Sequence, residues 1–190
     1  MSAAISDDPR TTGLTTDDLD NFPEDGVRRE LLDGVLLVSP SPTNVHQIVA
    51  MRLGVALEET CPEHLEVTQG VEVRISSTRS FIPDVLVTTD QAAQRCGRLY
   101  SPAEVVLAVE IVSPSSVSMD RITKPALYAE AVIPFYWRIE LGTSIEVHAS
   151  ELDKAAGIYR PACVFDAAIQ LTQPWTIDIP IKKLTPRHLR

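Results

Sequence analysis

The sequence predicts an α/β (α+β) fold, a mixed central β-sheet flanked by helices, and three observations carry that prediction. Two apolar runs, Phe81–Thr88 and the β-branched Val105–Val112, read as buried strands. Between Thr43 and Glu59, the residues Val45, Val49, Leu53, Ala56 and Leu57 recur at helical spacing and give one apolar face. The order helix, hairpin, helix, several strands, helix, then strands is what a sheet covered by helices requires.

Each element has a local reason. Met1–Gly13, rich in Ser, Asp, Thr and Pro, reads as a disordered leader, with 14–190 as one domain. Thr15 can cap a short helix whose first turn carries Asp17 and Asp18. Asp33-Gly34, between Arg28–Leu32 and Val35–Val38, is the strongest hairpin signal in the chain. Ser39-Pro40-Ser41-Pro42 then leads into the Thr43–Glu59 helix. Leu65–Thr68 and Val71–Ile75 read as further strands, and Gln91–Pro102 as a loop. Ser115–Ala131 is predicted helical in at least its second half. Phe135–Leu141 and Ser144–His148 form a hairpin across Gly142-Thr143, and Ile158–Ile181 reads as short strands punctuated by prolines.

Composition sets the bounds. With 190 residues, 44% of them apolar, the chain can bury a substantial core, and no apolar stretch approaches the length of a membrane span. The three cysteines, odd in number and widely spaced, fit a reducing cytoplasm rather than a disulfide framework. Cys61-x-x-His64 is half of a zinc pattern with no second half. Seventeen basic against twenty-six acidic residues give a net charge of −9, which repels nucleic acid unless a local basic strip offsets it. Arg28 and Arg29, Arg74 and Arg79, Arg95 and Arg98, and the basic tail from Lys182 are the candidates for such a strip.

The candidate chemistry lies in three residues. Asp84 sits near the start of one buried run and Glu110 near the end of another, where an ionised carboxylate needs a cation or a donor. Lys124 follows. Two carboxylates and a lysine suit a hard-metal centre that hydrolyses a phosphodiester, with Asp84, Glu110 and the Ile111 carbonyl holding Mg²⁺ or Mn²⁺. The bland alternative for each acid alone is a cap or a salt bridge. Glu30 is either a fourth member or a partner of Arg28 or Arg29. His46 opens a helix, as a cap, a packing residue or a phosphate contact. Asp120 lies one turn before Lys124 and can orient it, and Tyr128 is core with a hydroxyl on the same surface. Pro125 pushes Lys124 away from helical backbone, which suggests that the helix starts there.

Taken in order, Glu30-Leu31-Leu32-Asp33-Gly34, Ser39-Pro40-Ser41-Pro42 with His46, Pro83-Asp84-Val85, Val109-Glu110-Ile111-Val112-Ser113-Pro114-Ser115, Asp120-x-x-x-Lys124-x-x-x-Tyr128 and Pro134-x-Tyr136-Trp137 resemble the bacterial Uma-two family. That family is similar to the PD-(D/E)XK, restriction-endonuclease-like superfamily. The resemblance spans about Thr15 to Ile145. It implies a mixed sheet flanked by helices, a metal-dependent endonuclease acting on DNA, a position for Glu30 beside the site, and a homodimer. The superfamily's usual lysine, two positions after the glutamate, is replaced here by Val112, and the resemblance implies that Lys124 takes over. The family pattern also has a glycine after the Lys124 helix where this chain has Val132, a poor residue for a left-handed turn, so an altered turn is expected. Two other functions stay open: a nuclease-like module that binds without cutting, and a glycoside hydrolase using Asp84 and Glu110 as an acid/base pair. An aromatic content of 5% is low for a sugar platform.

Overall fold

A computed structural model of the chain describes residues 4–5, 13–160 and 163–189. Its elements are β1 (Ala4–Ile5), α1 (Thr16–Leu19), β2 (Arg29–Leu32), β3 (Val35–Val38), α2 (Asn44–Glu58), β4 (Leu65–Thr68), β5 (Glu72–Ser76), β6 (Arg79–Phe81) and β7 (Val85–Thr89). There follow α3 (Asp90–Ala93), β8 (Leu99–Tyr100), β9 (Val105–Val112), α4 (Lys124–Glu130), β10 (Phe135–Leu141), β11 (Ile145–Asp153), β12 (Ile158–Tyr159), β13 (Cys163–Phe165), β14 (Ala168–Leu171), β15 (Ile177–Pro180) and α5 (Ile181–Leu184). The leader expected at 1–13 lies outside the described residues, apart from Gly13 and the pair Ala4–Ile5, which forms β1 against β3.

The expected mixed sheet flanked by helices is present, divided into a six-stranded sheet (β1-β3-β2-β6-β5-β8), a seven-stranded sheet (β12-β11-β10-β9-β7-β4, with β13 beside β11) and the β14–β15 pair. In the larger sheet β9 runs parallel to β10 and antiparallel to β7. Both faces of β9 are covered, which explains an apolar run without alternation. Leu107, Val109 and Ile111 pack with Val49, Leu53 and Leu57 of α2, while Ala108 packs with Leu127 and Tyr128 of α4. Residues two apart on a strand share a face, so Glu110 falls on the α4 side.

The run Phe81–Thr88 is not one strand. Pro83 cannot donate to a ladder, and the chain crosses there from the six-stranded sheet (β6) to the seven-stranded one (β7). That crossing places Asp84 where the two sheets meet. Two hydrogen bonds fix it: Ile82 N–H donates to a Glu30 carboxylate oxygen of the first sheet (2.8 Å), and Asp84 N–H donates to the Val109 carbonyl of the second (3.0 Å).

The hairpin at Asp33-Gly34 forms as expected, both residues having positive φ (50° and 79°), as a tight two-residue turn demands. Lys124 does begin α4 with Pro125 behind it, yet its backbone is helical (φ −59°, ψ −48°), contrary to the expected extended geometry. A π turn over Met119–Thr123 precedes it, in which the Lys124 N–H bonds to the Met119 carbonyl. In that register the proline would have bonded to the Asp120 carbonyl, and the Tyr136 hydroxyl donates there instead (2.5 Å). After α4 the turn is not altered: Val132 takes the left-handed conformation itself (φ 63°). The Ile133 N–H reaches the Tyr128 carbonyl and the Val132 N–H the Ala129 carbonyl, a Schellman ending.

Candidate active site

Glu30 from β2, Asp84 before β7, Glu110 on β9 and Asp120 in the π turn converge at the sheet junction, each with at most 8% of its surface exposed. Lys124 fills the centre, itself 4% exposed. Its ammonium lies 3.0 Å from Glu110 Oε1, 3.1 Å from Glu30 Oε1 and 3.8 Å from Asp120 Oδ1. Lys124 thus reaches the acids with Pro125 directly after it. Asp84 is held separately: Oδ1 accepts from Arg28 Nη1 at 2.9 Å, and Oδ2 from the Ile111 N–H at 2.8 Å with His46 Nε2 at 3.1 Å. Since a carboxylate only accepts, that geometry gives His46 the proton on Nε2. Thr43 caps α2 by accepting from the His46 N–H (3.3 Å), which fixes where the imidazole starts.

Tyr128 is fully buried and donates to Glu110 Oε1 (2.8 Å), so it is both core and site. The Ser116 hydroxyl donates to Asp120 Oδ2. What Ile111 contributes here is its backbone N–H. Trp137, 1% exposed, is core as expected.

The electrostatics follow from four carboxylates sharing two permanent cations. Burial pushes the Glu110 carboxyl up, to about 8; Lys124 opposes this, while Asp120, Asp84 and Glu30 add to it. Asp120 is raised for the same first reason, burial. Burial works against the Lys124 charge, but Glu110, Glu30 and Asp120 outweigh it, so Lys124 holds its proton more tightly than a free lysine. Asp84 goes the other way: burial would raise it, and the His46 hydrogen bond with the Arg28 charge lowers it well below the usual carboxylate range.

Among the described residues, no three His, Cys, Asp or Glu side chains form a ready-made metal shell. The reason is local, because Lys124 and Arg28 already occupy carboxylate oxygens. The donor set nevertheless fits a hard cation. It is all oxygen and rich in negative charge, and Asp120 Oδ1 is buried with no hydrogen-bond partner.

Sequence reasoning offered Arg28 as a strip residue or a partner of Glu30, which lies 3.8 Å away, and missed its closer contact with Asp84 at 2.9 Å. Arg28 and Glu30 are two apart in extended chain and share a face. The strip's arginine pairs and Lys183 are not free charges. Arg29 pairs with Asp25 (2.8 Å), Arg79 with Asp33 (2.6 Å), Lys183 with Glu59 (2.9 Å), Arg74 with Asp20, Arg95 with Glu104 and Arg98 with Glu24. A cavity of about 470 Å³ opens between Arg121, Arg138, Glu140 and His148, and its Arg138 is the β10 register partner of Glu110. Cys61 packs against the α2 core, and burial pushes its thiol up to about 11, away from thiolate chemistry.

Among the described residues no helix is long and apolar enough to cross a membrane. No curated protein matches the chain. A crystal structure described as "a putative nuclease belonging to DUF820 from Anabaena variabilis ATCC 29413" matches in fold with a TM-score of 0.72 at 16% identity, covering 90% of this chain and 97% of that one. Residues 16–179 match the family Uma2, described as "Putative restriction endonuclease", and the chain belongs to that family.

Proposed function

We propose that the protein is an endonuclease that hydrolyses DNA phosphodiester bonds with the help of Mg²⁺ or Mn²⁺. One observation carries the reading: Glu110, Asp84 and a buried, protonated Lys124 share one site where two sheets meet. Asp84, Glu110 and the Ile111 carbonyl would hold the ion, which when bound lowers the pKa of a water and screens the phosphate. Lys124 offers the water or the scissile phosphate a point charge with three donors. Glu30 and Asp120 hold its ammonium from the other side, Tyr128 fixes Glu110, and His46 fixes Asp84. Water supplies the new P–O bond as the bridging P–O bond breaks. DNA binding without metal is weak, because the net charge is −9 and the arginines named above are already paired. The three free cysteines suit a reducing cytoplasm. A homodimer suits a cut in both strands.

The test is cleavage of supercoiled and single-stranded DNA in Mg²⁺, Mn²⁺ or chelator. We expect nicking or linearisation with either metal and none with chelator. Asp84→Asn and Glu110→Gln should each reduce the rate on the order of 10²-fold or more, the scale of lost charge stabilisation at a reacting phosphate. Lys124→Ala should lose cleavage but keep Mn²⁺ binding. Glu104→Gln, at the other end of β9, should cut normally. Equal damage from Glu104→Gln, or activity that survives chelation, would refute the assignment. A second reading, a nuclease-like module that binds without cutting, draws on the neutralisation of the acids by Lys124 and Arg28. Metal binding without cleavage of any nucleic acid would favour it.

A further inference from the structure

Three nitrogen-bearing side chains, Lys124, His46 and Arg28, contact the acidic cluster, and they are not held alike. Lys124 has 5% of its side chain exposed, touches Glu30, Glu110 and Asp120, and stacks 5.5 Å over the Phe81 ring. His46 has 9% exposed and is anchored in the first turn of α2. Arg28 is different: 30% of its side chain is exposed, and it lies just outside β2. Its one close contact is Asp84 Oδ1 at 2.9 Å, with Glu30 at a looser 3.8 Å. Its Nε is buried with no partner. The guanidinium therefore occupies an oxygen that a metal would need, and it is the least secured of the three side chains.

We infer that Arg28 is an exchangeable stand-in for the divalent ion. It neutralises Asp84 when metal is absent, leaves Asp84 when the ion binds, and then contacts a phosphate oxygen of DNA from the exposed rim of the site. The inference rests on the metal-dependent reading above and assigns a role to a residue which that reading does not use. Charge bookkeeping favours the exchange. A divalent ion on Asp84 Oδ1 would share that oxygen with the guanidinium, and two cations at contact distance repel. The released fork matches two phosphate oxygens, and its chain already opens to solvent.

The experiment measures binding, with no turnover. Mn²⁺ is titrated by calorimetry into wild type, Arg28→Met, Arg28→Lys and Asp84→Asn, and a short DNA duplex is titrated by fluorescence anisotropy in Ca²⁺. Arg28→Met should bind Mn²⁺ roughly tenfold or more tightly, the scale of removing one competing unit charge near the surface. Its duplex affinity should fall by at least about tenfold, since a charge-assisted phosphate contact is lost. Arg28→Lys should restore part of the duplex affinity and keeps a positive charge at the site if the methionine variant fails to fold. Asp84→Asn identifies which Mn²⁺ heat belongs to this site. Unchanged or weaker Mn²⁺ binding by a folded Arg28→Met overturns the exchange, and unchanged duplex affinity overturns the phosphate contact. A wild type that binds no Mn²⁺ removes the metal-dependent reading and this inference together, so the two failures are distinguishable.

Discussion

At the scale of single residues, the site is a crowd of like charges held by geometry, and its pH response should expose that. A carboxyl raised by burial keeps a proton in the folded state that the unfolded chain releases. For Glu110 the folded value is about 8 against an ordinary 4.5, so its contribution to stability is complete below the lower value and is lost as pH rises toward the upper one. Asp84 is shifted down, so its contribution is already complete above its ordinary 3.8. Lys124 is shifted up, and its contribution is constant until strongly alkaline pH. Between pH 5 and 8 Glu110 therefore dominates within the cluster, with Asp120 shifted in the same direction. In chelator, the stability lead of Glu110→Gln over wild type should widen from pH 5 to 8 when both are unfolded in urea. Taking the difference cancels His148, whose lowered value works in the opposite sense. Parallel curves would show that Glu110 is ionised in the apo protein.

At the scale of elements, strands with a clear composition were legible and junctions were not. Leu65–Thr68, Val105–Val112 and Phe135–Leu141 begin and end where β-branched content predicts. The break at Pro83 was missed because an apolar run reads the same whether or not it changes sheet, although the proline marked it. The loop at Gln91–Pro102 hides α3 and β8, each too short for periodicity to register. β11 runs on to Asp153, past the expected His148: Ala149 continues its alternation, and beyond the exposed Glu151 the buried Leu152 falls on the other face. Within the cluster, Asp84 and Glu110 were readable as carboxylates in apolar runs and Lys124 from the family resemblance, whereas the Arg28 contact to Asp84, which spans 56 positions, needed the sheet crossing to be known. Val132 is the element-scale test. Left-handed backbone costs an L-residue about 1–2 kcal/mol, and glycine returns roughly 0.5–1 kcal/mol of that through unfolded-state entropy. Val132 is 56% exposed, so little packing is lost on its removal. Val132→Gly should gain about 0.5–1 kcal/mol, raising Tm by roughly 1–4 °C for a chain of this size. Val132→Ala, which keeps the Cβ, should gain less. An equal or lower Tm for the glycine variant would mean that the Schellman turn is unstrained.

At the scale of the whole molecule, one edge of the seven-stranded sheet has no further strand among the described residues. β12 and β13 follow one another along β11, and they expose Ile158 (60%) and Val164 (54%). An apolar edge with free backbone groups is a template for another strand. A second copy is a suitable occupant, since a two-fold pairing covers the edge of both partners and gives two sites for two DNA strands. At micromolar concentration, light scattering should then report about twice the chain mass of 20.9 kDa. Val164→Lys places a charge on the edge, the device natural sheets use to block pairing, and should return the mass to that of one chain. Its site, distant in sequence from Glu110 and Asp84, should still bind Mn²⁺. On supercoiled DNA the variant should nick but fail to linearise, because one bound site cuts one strand. A monomeric wild type would remove the dimer, and a dimeric Val164→Lys would move the interface to another face, such as the exposed Met51 and Val55 of α2.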